Sequence, residues 1–170
     1  RLFDPLGMTD TTFWPTVAQQ RRLAKSYRPN AARDGLEEIQ ITSLRYPLDD
    51  PARQPYSGGG LFSTAPDLVR FCQMIFRGGR DEARTYLSPE SIAEMTRKQT
   101  GDTLEASYGL GWDVGSNTYG HGGAYATLMT MHPSQGLITI FLVQHDGFPL
   151  DGDQSRETFV RIATESQAAH

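Results

Sequence analysis

The spacing of apolar positions changes along this chain. In STAPDLVRFCQMIFRGG (residues 63–79), Leu68, Phe71, Cys72, Ile75 and Phe76 recur at helical spacing and predict a helix with those residues facing the core. Thr64 is its expected N-cap, with Asp67 three residues on and Gly78 as its stop. LSPESIAEMTRKQ (87–99) predicts a second helix, with Ser88 as N-cap and Pro89 at the first helical position. Beyond it the period becomes two. YGLGWDV (108–114), YGHGGAYATLMTMHP (119–133) and GLITIFLVQH (136–145) read as three strands, joined by GSN and by PSQG. Links this short force antiparallel neighbours. QSRETFVRIATESQ (154–167) predicts a closing helix with Phe159, Ile162 and Ala163 as its buried stripe. The expected fold is therefore α/β of the α+β type, an antiparallel sheet with packed helices including one at the C-terminal end.

Residues 1–62 show weaker periodicity and read as an irregular linker and loop region, followed by helices over 63–107 and by strands with the terminal helix over 108–170. PLGMTDTTF (5–13) is a turn-rich entry, and QQRRLAKSY (19–27) is either a short helix or the lead into an extended segment. GLEEIQITSL (35–44) alternates at Ile39 and Ile41, as a strand or hairpin does. RYPLDDPARQPYSGGGL (45–61), with Pro47, Pro51, Pro55 and three consecutive glycines, is long enough for a functional loop.

Composition narrows the function. A length of 170 residues suits about one domain, and 38% apolar residues suffice for a core. A net charge of −4 argues against nucleic acid as a main partner. No apolar run approaches the roughly 18 residues that span a bilayer. Cys72 has no second cysteine to pair with, so the redox compartment is open. The chain starts RLFDPLGM, with no initiator Met and no signal peptide, and reads as cut from something longer whose compartment it does not reveal. His121, His132, His145 and His170 have no H-x-x-x-H spacing and there is no C-x-x-C, so neither a metal nor a cofactor is expected. SGGG lacks the G-K-[ST] of a phosphate loop, and GLGWDVG lacks the spacing of a dinucleotide fingerprint.

The stretch around His121 holds the candidate chemistry. It sets one titratable ring against Gly122 and Gly123. Glycine within a strand marks a bulge or a close approach by ligand or backbone, and the plainer alternative is a tight turn after Tyr119 followed by an ordinary strand. HGGA also occurs in the oxyanion loop of α/β-hydrolase lipases, but this chain has no G-x-S-x-G elbow.

The order PLGMTDTTF, GGGLFSTAPDLVRF, YGLGW, YGHGGAY, antiparallel hairpin and terminal helix resembles the C-terminal half of the serine β-lactamase and penicillin-binding-protein superfamily. Class C β-lactamases, D-amino-acid peptidases and family VIII carboxylesterases are the relatives it is most similar to, over nearly all 170 residues. The resemblance implies a partial β-lactamase/transpeptidase-like fold and a parent that works through an acyl-enzyme. It sets His121-Gly122-Gly123 at the K-T-G position. By that resemblance the Ala124 N–H donates to the oxyanion, Gly122 and Gly123 keep the strand bare for an acyl group, and Tyr125 flanks the substrate. His121 would hold a substrate carboxylate or leaving group, as a hydrogen-bonding or partly cationic ring.

The family's other two motifs are missing. Neither Lys25 nor Lys98 has Ser three residues before it, and neither Asn30 nor Asn117 completes Y-x-N. Three readings follow: one wall of a serine hydrolase acting on a small ester, peptide or β-lactam, an inactive ligand-binding relative, or an assembly domain. His121 in place of the K-T-G lysine favours ester or peptide over β-lactam. A homodimer through strand 138–144 is also expected, because in the family its outer partner comes from the N-terminal end, and no proline or charge interrupts the run.

Overall fold

The computed structural model describes residues 1–56, 58–102, 104–147 and 154–169. Its centre is an antiparallel sheet of four strands in sequential order: β3 (Asp113–Val114), β4 (Tyr119–Gly122), β5 (Leu128–His132) and β6 (Leu137–Phe141). Tyr119, Met131 and Ile138 are aligned across β4, β5 and β6, and all three belong to the core packed around α2 (Ala65–Phe76). Side chains alternate along a strand, so His121, Met129 and Ile140 share that face, while Gly120, Thr130 and Thr139 lie on the other. The second face carries α4 (Ser155–Ala168), whose Phe159 ring sits 5.5 Å from that of Phe141. The sheet thus lies between two helices.

Helix α2 forms where its spacing predicts. Thr64 accepts from the Asp67 N–H, and Cys72 and Ile75 are buried together with Met74, which the apolar stripe had omitted. The Asp67 carboxylate turns away from the cap and is buried. It accepts from the Asp10 N–H at 2.9 Å and the Thr11 hydroxyl at 2.8 Å, fastening the entry turn to the helix. α3 (Pro89–Thr96) is capped by Ser88 as expected.

Residues 19–27 resolve into the end of a one-turn helix, α1 (Val17–Gln20), and the start of β1 (Ser26–Pro29). β1 pairs with β2 (Leu36–Ile39), so the alternation near Ile39 belongs to a small separate hairpin.

Three expectations need correction. YGLGWDV is a strand only at Asp113–Val114. Tyr108 bridges to Asp113 across a fold-back whose Gly111 has φ +84°, a left-handed conformation suited to glycine. The stripe of α4 is not buried: Phe159 and Ile162 are exposed and Ala163 is half-buried. Finally, the outer side of β6 is shorter than strand 138–144 implied. Past Phe141, the Tyr27 N–H donates to the Gln144 carbonyl at 2.9 Å and the Asp146 N–H to the Tyr27 carbonyl at 2.7 Å, so β1 covers that end.

Candidate active-site wall

The stretch from Tyr119 to Pro133 is two strands and a turn, where alternation had predicted one strand. The Gly123 N–H donates to the Thr127 carbonyl at 2.8 Å and the Ala126 N–H to the Gly123 carbonyl at 3.0 Å, closing a tight loop in which Ala126 has φ +66°. The plainer reading put the turn directly after Tyr119, but Tyr119–Gly122 is strand β4. The turn falls after His121 and carries the candidate residues to the rim of an open cavity of about 650 Å³.

All five residues singled out by sequence line that cavity: His121, Gly122, Gly123, Ala124 and Tyr125. Facing walls come from the Gly58–Gly60 loop, from Ser63 and Thr64 at the start of α2, and from Leu142–Gln144 after β6. Ala124 is exposed, and its N–H takes no part in the hydrogen bonds that close the turn. The Tyr125 carbonyl accepts from the His145 N–H at 3.1 Å, which ties the turn to the strand end beside it.

The two glycines differ. A Cβ on Gly122 would meet only ordinary contacts, with the Thr127 carbonyl at 3.6 Å and Arg156 Nη1 at 3.8 Å. A Cβ on Gly123 would overlap the Thr127 hydroxyl. Glycine at 123 therefore also suits the packing of its own hairpin.

His121 is exposed at the end of β4, and both ring nitrogens are engaged. Nδ1 lies 2.5 Å from the Gly122 carbonyl oxygen and Nε2 lies 2.8 Å from the Tyr108 hydroxyl, with the two rings edge to face at 5.7 Å. Sequence reasoning missed Tyr108. It is 13 residues away on another segment, and only the fold-back from 108 to 113, laid beside β4, brings it to the histidine.

Charge in the cavity is largely self-contained. Asp10 and Arg22 both line it and bond to each other; Arg22, helped by Gln19, holds the Asp10 carboxyl below the usual range. No lysine lines the cavity, since Lys25 is paired with Glu38 on the β1–β2 hairpin. Among the described residues no group of three His, Cys, Asp or Glu side chains is placed to hold a metal.

Comparison with known proteins decides the family. The model of the family described as Beta-lactamase matches residues 1–162. The chain belongs to the Beta-lactamase family. Protein Rv1367c of Mycobacterium tuberculosis is 31% identical over 171 residues, a match covering 85% of this chain and 42% of that protein. A Salmonella gallinarum protein, provisionally named a D-alanyl-D-alanine carboxypeptidase, is 26% identical over 165 residues, covering 83% of this chain and 38% of its own. Among solved structures, a variant of simvastatin synthase (LovD) from Aspergillus terreus superposes with a TM-score of 0.76 at 19% identity, covering 98% of this chain and 50% of that one. EstCE1, described as a hydrolase with promiscuous acyltransferase activity, superposes with a TM-score of 0.70 at 21% identity, covering 95% and 48%. These structures establish that the chain has the fold of this family's members. The chain spans about two fifths to half the length of these relatives.

Proposed function

We propose that these 170 residues form the oxyanion-side wall of an acyl-transferring serine hydrolase, with the nucleophile supplied by a segment outside them. The observation that carries this reading is the Ala124 N–H. Ala124 is an exposed residue lining the cavity, directly after the His121-Gly122-Gly123 run, and its N–H is not used to close the turn. A fixed amide of this kind stabilises a tetrahedral oxyanion, because its dipole is already in place when charge develops. Gly122 leaves the strand surface beside it open to an acyl group. The sequence contains no S-x-x-K, so the attacking serine and its lysine are not among these residues. The substrate class is an ester or a D-amino-acid peptide in preference to a β-lactam. The carboxypeptidase, hydrolase and acyltransferase names of the relatives support that range.

The test compares this chain with the longer protein that carries it. The 170-residue chain should show no saturable turnover of p-nitrophenyl acetate, p-nitrophenyl butyrate or nitrocefin, since nothing in it can form the acyl bond. The longer protein should turn over the esters and be labelled by a fluorophosphonate. In it, Ala124→Pro, which deletes the amide proton, should lower kcat by roughly two to three orders of magnitude. Burst turnover by the short chain would reveal a nucleophile within it. Ligand binding without fluorophosphonate labelling of the longer protein would make it an inactive binding relative instead.

A further inference from the structure

His121 was expected to meet the substrate as a hydrogen-bonding or partly cationic group. Its two contacts specify something narrower. The Gly122 carbonyl is an acceptor only, so a hydrogen bond at 2.5 Å requires the proton on Nδ1. In the neutral ring Nε2 then carries a lone pair, and the Tyr108 hydroxyl, 2.8 Å away, is placed to donate to it. Of the two neutral tautomers, this one satisfies both contacts at once.

Tyr108 is itself well fixed. Its carbonyl accepts from the Gln99 N–H at 2.7 Å, and its own N–H donates to the Thr100 hydroxyl at 3.3 Å, both on the segment leaving α3. Next to it, a Cβ on Gly109 would collide with the Met95 carbonyl, so the chain here presses on the end of α3. The edge-to-face contact at 86° holds the imidazole against the phenol ring.

We propose that Tyr108 is the positioning residue of His121. Its hydroxyl holds Nε2 of the Nδ1-protonated ring and fixes the plane in which the imidazole borders the cavity. The catalytic consequence rests on the function proposed above: a ring with both nitrogens engaged offers a substrate a polar surface of fixed orientation. Tyr108 acts through His121.

The assignment is tested on the 170-residue chain by long-range proton–nitrogen NMR of the histidine rings, at about pH 8, where an ordinary imidazole is neutral. His121 should show a protonated Nδ1 and an unprotonated Nε2. Tyr108→Phe keeps the ring and removes the hydroxyl, and should move the Nε2 resonance of His121 downfield as that lone pair loses its donor, while Nδ1 keeps its proton on the Gly122 carbonyl. The signals of buried His132 should stay in place as a check that the fold survives. A wild-type His121 already protonated at Nε2 overturns the proposal, and so does an unchanged Nε2 shift in a folded Tyr108→Phe variant. Should that variant not fold, the wild-type spectrum alone decides. The readout needs no turnover, so it stands apart from whether the longer protein is a hydrolase.

Discussion

Thr127 and Gly123 make a pair in which one side chain takes the space the other lacks. Adding a methyl at 123 brings it onto the Thr127 hydroxyl, while the neighbouring Thr127 Cβ, at 3.5 Å, is at ordinary contact. Gly123→Ala should therefore destabilise the chain by about 1–2 kcal/mol, in the range of overpacking. Thr127→Ala in the same chain should recover most of that loss. Urea midpoints for the two single variants and the double variant measure the coupling directly. Additive losses would mean that Gly123 is needed for some other reason. His132 supplies a second residue-scale expectation. It is 6% exposed and its Nε2 meets the Thr139 hydroxyl at 3.2 Å. Burial lowers its pKa below the ordinary 6.5. The unfolded chain then takes up a proton more readily than the folded one, so stability is lost as the pH falls below about 6.5 towards the lowered folded value. Above that range the contribution is complete. In His132→Gln the melting temperature should fall less steeply between about pH 6.5 and 5 than in the wild type. Equal slopes would remove His132 from the acid response.

At the scale of elements, α2 organises the entry to the cavity. The buried Asp67 carboxylate binds the Asp10 N–H and the Thr11 hydroxyl, and Thr11 in turn contacts the hydroxyl of Ser63 at 2.8 Å, on the cavity wall. The adjoining Thr12 and Phe62 exchange backbone hydrogen bonds at 3.0 and 2.9 Å. Asp67→Ala would leave two donors of the entry turn without their acceptor. The expected loss is about 2–3 kcal/mol, the range for deleting one partner of buried, charge-assisted bonds. Thr64→Ala, which removes only the cap, should cost about 1 kcal/mol. Chemical denaturation of both variants checks the ranking, and a larger loss at Thr64 would contradict the fastening role given to Asp67.

For the whole molecule, the outer side of β6 is the feature with consequences for assembly. Among the described residues no strand pairs with Leu137–Phe141 beyond β5, and Leu142, next along the chain, is 43% exposed. An open edge of this kind templates pairing with another copy, and a two-fold antiparallel dimer is the simplest closed form. Light scattering should show mass rising with concentration into the tens of micromolar, roughly the range where exposed edges associate. Leu142→Lys adds a charge at an exposed position and should restore the monomer without a large change in melting temperature. A monodisperse wild-type monomer throughout would rule out pairing at this edge. Cys72, fully buried with its thiol pKa pushed up to about 12, contributes to the core and gives no basis for an intermolecular disulfide.

What the sequence by itself determined is what local physics writes into neighbouring residues. α2 and α3, with Thr64 and Ser88 as caps, follow from apolar spacing and from side chains able to satisfy free N–H groups. The antiparallel order of the sheet follows from links too short for a crossover. Motif order was enough to name the family, and the His121–Tyr125 run picked out residues that line the cavity. Only the tertiary structure decided the rest, because each remaining point depends on contacts between distant segments. Alternation continues through Ala124, Tyr125 and Ala126, so the turn that splits Tyr119–His132 into two strands is set by the Gly123–Thr127 closure and by pairing with β6. α4 reads as a helix with a buried stripe, yet Phe159 and Ile162 stay exposed, because how much of it is covered depends on how it packs against β6, where Phe159 meets Phe141. Tyr108 and His121 carry no shared motif; they meet because Gly109 and Gly111 let the chain fold back where a side chain at 109 would strike α3.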